Sequence, residues 1–219
     1  MDSIIQQISV WALPVLAAII LHEIAHGWVA NRLGDPTAKA RGRLTLNPLP
    51  HIDPFGTVVL PLVLIVTHAP FLFGWAKPVP VNFGQLRHPK RDMIYVAAAG
   101  PVTNLILAVA SAAIFKSLLH LHLPADGPYA GLLVATLTPI ALMAQHSVVI
   151  NVVLAVFNLI PILPLDGGRV LTGLLPLRQA IAFSRTERYG MLIVILLLYT
   201  NVLGHVVGPV VGAFLRVLL

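Results

Sequence analysis

Leu21-His22-Glu23-Ile24-Ala25-His26-Gly27-Trp28 lies inside a stretch, residues 8 to 31, that is otherwise almost wholly apolar. On a helix, a spacing of four residues puts His22 and His26 on one face about a turn apart, where two neutral imidazoles can hold Zn²⁺. Glu23 then points beside them, toward a water on the metal. Each residue type is needed for a separate chemical reason. With nine His and two Glu in 219 residues, chance would produce this pattern about 0.003 times per chain. The plain competitor is a pair of capped or snorkelling histidines.

Composition sets the environment. The chain is 58% hydrophobic and 10% charged, with a mean hydropathy of +0.89, so it cannot keep an ordinary soluble surface in water and is an integral membrane protein. Its net charge is +6, but no Lys/Arg run is interleaved with stacking aromatics, so nucleic acid is not a partner and the basic residues report membrane topology instead. There is no cysteine, which excludes disulfides, thiolate zinc sites and a cysteine nucleophile, and leaves His and carboxylate as ligands. No Lys or Arg precedes Arg32. The amino end therefore lacks the basic start of a cleavable leader, and the first apolar stretch is expected to stay as a spanning helix with its N-terminus outside.

Read along its length, the chain is one integral membrane domain, all-α and multi-pass, with five to six transmembrane or re-entrant helices around a three-helix core. The core helices are expected at 8–31, 92–119 and 131–160. Residues 32–51 carry Arg32, Lys39, Arg41 and Arg43 against Asp35 alone, and read as extended chain or a short β hairpin on the cytoplasmic side. Residues 55–73 are apolar but punctuated by Pro54, Gly56, Pro61 and Pro70, and basic residues flank both ends. That favours a re-entrant segment, although length alone allows a full crossing. The loop at 120–130 has Asp126 and no Lys or Arg, which suits the outer face. Residues 189–219 form a last apolar region, one helix or two, interrupted by Gly204, Gly208 and Pro209.

Catalytic zinc takes three protein ligands and keeps a fourth position open. Of the carboxylates other than Glu23, Asp166 is the one that topology brings to the inner end of a membrane helix, at the depth of His22 and His26. It follows Asn158-Leu159-Ile160-Pro161-Ile162-Leu163-Pro164-Leu165 and precedes Gly167-Gly168-Arg169, a run in which prolines break the helix and glycines permit a tight turn. The competing reading of Asp166 is a turn aspartate paired with Arg169. An extra crossing at 55–73 would carry Asp166 to the wrong face.

With these motifs in hand, the chain resembles the site-2 protease family of intramembrane zinc metalloproteases, in its compact form without a PDZ domain. The resemblance runs from 21 to 169 and rests on His22-Glu23-Ile24-Ala25-His26, on Ala98-Ala99-Gly100-Pro101 with Asn104, and on Asn158 through Gly168. It implies one Zn²⁺ held by His22, His26 and Asp166, with Glu23 as catalytic base taking a proton from water and returning it to the leaving amine. It further implies that Asn158, with Asn104, binds or polarises the substrate. The implied substrate is a membrane-spanning protein, cleaved in or beside the bilayer of the cell membrane near its cytoplasmic face. Gly42–Asn47 or Pro78–Asn82 could pair with an unwound substrate by strand addition.

Two rival functions share this site chemistry: a membrane zinc hydrolase acting on a non-peptide amide or ester, and a non-catalytic metal-binding protein or transporter. A transporter would spread polar groups along a path at mid-bilayer depth, whereas here they gather at one end. His51 beside Asp53 reads as a turn more readily than as a gating pair. His146 reads as a buried packing contact or part of a water path, and Trp11, Trp28 and Trp75 as packing or interface anchors.

Overall fold

Small residues spaced along apolar stretches decide which helices meet and how closely. The computed structural model describes residues 4–69, 73–121 and 130–219. Among these residues the chain is helical and contains no strand. The helices are α1 (Ile4–Arg32), α2 (Thr37–Ala40), α3 (Leu60–Val66), α4 (Pro89–Leu119), α5 (Ala130–Asn158), α6 (Asp166–Leu174), α7 (Leu177–Ser184), α8 (Glu187–Tyr199) and α9 (Val202–Leu218).

Three of them are apolar and long enough to cross a bilayer: Ser9–Arg32, Pro89–Leu119 and Gly131–Asn158. At 1.5 Å per residue the shortest, 24 residues, reaches about 36 Å against a hydrocarbon core of about 30 Å. This is an all-α, multi-pass membrane protein. Its outer surface is apolar, with Val102, Ile106, Val109 and Ile114 of α4 and Leu132, Val134 and Ile140 of α5 exposed, while Asn104 and Asn151 are buried between helices. Lipid tails, not water, suit such an exterior. Ala108 and Ala112 of α4 pack on Val148 and Val152 of α5; with so little side chain between them, the helix backbones approach closely.

Cross-contacts give the directions. Ser111 meets Ser147 and Asn104 meets Asn151, so α4 and α5 are antiparallel. His22 meets Asn104 and His26 meets Val96, so α1 and α4 are antiparallel as well. α1 and α5 therefore run the same way, and the C-terminal ends of both lie at one end of the bundle.

The connection between α1 and α4 begins and finishes at that end: the Arg87 N–H donates to the Leu33 carbonyl at 2.9 Å. Within it, Pro54–Val66 is one short apolar helix of 13 residues with a π-type first turn, about 20 Å long and too short to span. Asp53 caps it, accepting from the Gly56 N–H. The chain then comes back alongside its own start, because the Trp75 N–H donates to Gly56 O and the Lys77 N–H to His51 O. Pro70 lies outside the described residues, as does most of the 120–130 loop with Asp126.

The segment expected to be extended chain or a β hairpin, 32–51, instead holds the short helix α2 and a single 3₁₀ turn at Leu49–His51 with irregular chain between them, tied to the returning segment by Arg43 Nη2 donating to Lys77 O at 2.8 Å. Two helices, not one, make up the C-terminal region. α8 and α9 meet at 78°, and the break falls at Asn201, which takes a left-handed backbone (φ 57°). Gly204, Gly208 and Pro209 lie within α9.

Candidate metal centre

α1, α4 and the α5–α6 turn each bring part of the site. His22 and His26 face α4 one turn apart, and both are buried. The space they fill exists because position 100 is glycine: a Cβ there would come within 2.4 Å of His26 Nε2 and 2.6 Å of His22 Nε2. After Asn158 the chain leaves the helix and folds under the first turn of α6, where a Cβ on Gly167 would meet the carbonyl oxygen of Leu159 at 2.2 Å. That tight approach delivers Asp166, the first residue of α6, to the histidines. Arg169 pairs with Glu187 at 2.7 Å, so the turn-aspartate pairing is not the one the chain forms.

The three candidate ligand atoms form a near-equilateral triangle. His22 Nε2 and His26 Nε2 are 3.0 Å apart, and Asp166 Oδ2 lies 3.1 Å from the first and 3.3 Å from the second. Hydrogen bonding fixes which imidazole nitrogens face inward. His26 Nδ1 is 2.7 Å from the Val96 carbonyl, which can only accept, so Nδ1 carries the proton and Nε2 presents a lone pair. His22 Nδ1 is 2.5 Å from Asn104 Oδ1, with the same consequence. Asp166 Oδ2 is itself buried without a hydrogen-bond donor. Three inward lone pairs at these separations repel one another unless a cation lies between them. Zinc bound at about 2.0–2.1 Å in tetrahedral geometry separates its ligands by about 3.3 Å, so the donor set and spacing fit Zn²⁺, with a fourth position left over.

Glu23 lies on the same helix, and its Oε2 accepts a hydrogen bond from the Val79 N–H at 2.7 Å. Val79 belongs to a strap, Lys77–Asn82, that runs over this end of α1. Arg43 holds one end, and the Asn82 N–H donates to Asp35 Oδ2 at 2.6 Å at the other. Prolines at 78 and 80 leave Val79 as the one residue between them with an N–H to give.

The chain matches the family model described as Peptidase family M50 over residues 133–200. It is also 38% identical over 199 residues to "Putative zinc metalloprotease YwhC" of Bacillus subtilis, covering 91% of this chain and 84% of that protein. The chain belongs to peptidase family M50. This M50 protein is 30% identical over 190 residues to "Putative zinc metalloprotease Rip2" of Mycolicibacterium smegmatis, spanning 87% of this chain and 66% of the relative. With "Putative zinc metalloprotease Rip3" of Mycobacterium tuberculosis it shares 28% identity over 211 residues, 42% of that longer protein. No solved structure matches it.

Of the residues singled out from the M50 sequence, His22, His26 and Asp166 come together. Asn158 closes α5, its amide nitrogen donating back to Leu154 O at 3.0 Å. Asn104 is fully buried behind His22, with every amide hydrogen and its oxygen engaged inside the core. His51 is buried and pairs with Thr45 O, while Asp53 serves as the helix cap. His146 stacks on Trp11, ring centroids 4.1 Å apart. Trp75 covers Gly56, and Trp28 lies under the Arg32 guanidinium. Sequence reasoning missed Val79, whose contribution is a backbone N–H, and Asn151. A polar residue two turns before Asn158 on the same apolar helix was the available signal for the latter.

Proposed function

We propose that this M50 protein is an intramembrane zinc endopeptidase that hydrolyses a peptide bond of a membrane-spanning protein substrate. The observation that carries the reading is the triangle of His22 Nε2, His26 Nε2 and Asp166 Oδ2, with separations of 3.0–3.3 Å, one residue from a glutamate. His22, His26 and Asp166 would hold one Zn²⁺, and the names of the curated relatives agree with that metal. When bound, zinc supplies Lewis-acid activation of a water and polarisation of the scissile carbonyl.

The chain's own residues do the rest. Glu23 takes the proton from the attacking water and delivers it to the leaving amine, a general acid–base role worth about 10²–10⁴ in rate. The Val79 N–H holds one Glu23 oxygen in place, which leaves the other for the water. Asn158, at the open end of α5, orients the substrate.

Of the fourteen Lys and Arg, twelve fall in segments 32–91 and 169–188, at the end of the bundle that carries the site, and only Lys116 and Arg216 lie elsewhere. The positive-inside rule then puts the site near the cytoplasmic face of the cell membrane, with Pro54–Val66 entering the bilayer and returning on that side. The test is to purify wild type and Glu23→Gln in detergent, measure bound zinc, and offer a panel of single-span membrane peptides. Equal zinc with cleavage lost in the variant supports the reading. Equal cleavage by both ends it.

A further inference from the structure

Behind His22 a chain of polar groups, buried at its two asparagines and half-buried at its two serines, crosses all three core helices. Asn104 Oδ1 on α4 faces His22 Nδ1 at 2.5 Å. The Asn104 amide nitrogen donates to Asn151 Oδ1 on α5 at 2.7 Å and to the Ala18 carbonyl on α1 at 3.2 Å. Asn151 in turn donates through its amide nitrogen to the Ser147 carbonyl at 2.9 Å and lies 3.2 Å from Ser147 Oγ. Ser147 Oγ bonds Ser111 Oγ at 2.7 Å. Asn104 and Asn151 are 0% and 1% exposed.

The direction of this chain is not free. The Ser147 carbonyl only accepts, so the Asn151 side that faces it must be the NH₂, and its Oδ1 must face Asn104. Asn104 is then required to give its two hydrogens to Asn151 and to Ala18, another backbone acceptor. Its oxygen is left to face His22, which forces the His22 proton onto Nδ1 and bares Nε2. Reversing any member would set donor against donor or acceptor against acceptor around two fully buried amides, at a cost of about 1–3 kcal/mol for each unpaired group.

We propose that Asn151 is a positioning residue for His22: acting through Asn104, and anchored by the Ser147 carbonyl, it selects the imidazole tautomer and ring orientation that bind the metal. This rests on the reading of His22 as a zinc ligand. An outer partner that orients a metal-binding histidine typically changes metal affinity or activity by about 10- to 100-fold when removed. Asn151 reaches the ring at one remove, and the lower part of that range applies.

Packing and positioning are separated by comparing Asn151→Leu with Val148→Ala. Asn151→Leu leaves the Asn104 amide unpaired, so both thermal stability and zinc affinity fall. Val148, fully buried one turn away on α5, packs with Ala108 and Ala112 and takes no part in the polar chain, so Val148→Ala lowers stability through a packing void alone. Zinc affinity is read by competition with a chromophoric chelator, and site geometry by the visible absorption of the Co²⁺-loaded protein, both in detergent. Expected are a loss of zinc affinity of about tenfold and altered Co²⁺ bands in Asn151→Leu, with wild-type zinc affinity and Co²⁺ bands in Val148→Ala despite its lower stability. Zinc affinity within twofold of wild type in Asn151→Leu, or an equal loss in Val148→Ala, overturns the positioning role while leaving the zinc reading intact. Wild-type protein that binds no zinc removes both.

Discussion

The backbone N–H of Val79 donates to Glu23 Oε2 at 2.7 Å, joining residues 56 apart in sequence. Neither side chain type announces this contact, because the donor belongs to the backbone. Val79→Pro deletes it and leaves an apolar residue in place. A hydrogen bond to a charged group is worth about 1.5–3 kcal/mol, so turnover should fall about 10- to 100-fold with zinc content unchanged. Val79→Ala keeps the N–H and should lose far less. Comparable rates for Val79→Pro and Val79→Ala would show that the strap does not hold the base.

Gly100 lies against both imidazoles, and a methyl group there would meet their Nε2 atoms at 2.4 and 2.6 Å. Gly100→Ala should therefore reduce zinc affinity by at least tenfold, because the rings must turn away from the triangle to make room. Gly131→Ala serves as control, since a Cβ there meets nothing within 4 Å. Metal analysis after dialysis against a weak chelator distinguishes the two, and full zinc occupancy in Gly100→Ala would contradict the assigned geometry.

That His22, His26 and Asp166 would come together was legible because the histidine spacing and the broken helix before Asp166 are local patterns. Membrane helices were legible for the same reason: α1, α4 and α5 are long apolar runs, found within a few residues of their expected ends. What the chain does between His51 and Asn82 was not. Its shape depends on contacts such as Trp75 over Gly56 and Lys77 with His51, which join residues through tertiary packing and leave no periodic trace. The break at Asn201 was hidden similarly. Gly204, Gly208 and Pro209 looked like stronger interruptions, yet all three fit inside α9, where apolar neighbours and an N–H-free turn are tolerated. Asn104 was noticed as a polar residue in an apolar helix, but whether such a group faces substrate or a histidine is a question of distance, which spacing cannot answer.

Removing the metal should cost stability as well as activity. The His22, His26 and Asp166 lone pairs stay within 3.0–3.3 Å of one another, and a bound ion present at 100 times its dissociation constant stabilises the fold by about 2.7 kcal/mol. Chelator-treated protein in detergent should melt at a lower temperature and recover on adding Zn²⁺. Asp166→Asn should show the lower melting temperature with or without zinc, whereas Glu23→Gln should respond to zinc as wild type does. A wild-type zinc response in Asp166→Asn would remove Asp166 from the ligand set.

The path of the chain around Pro54–Val66 gives a direct test of topology, and the absence of native cysteine makes it free of background. Leu49 precedes that short helix, Arg87 follows it, and both are exposed. The Arg87 N–H reaches Leu33 O, and His51, two residues after Leu49, accepts from Lys77 of the strap that Arg43 holds, so both positions lie at the end of the bundle where α1 finishes. Leu119, exposed at the far end of α4, is separated from them by 31 helical residues, about 46 Å. With a membrane-impermeant maleimide on oriented vesicles, Leu49→Cys and Arg87→Cys should be modified from the same face and Leu119→Cys from the opposite one. Labelling of Leu49→Cys and Arg87→Cys from opposite faces would mean that Pro54–Val66 crosses. α4 and α5 would then be inverted, and Asp166 could not share a depth with His22 and His26.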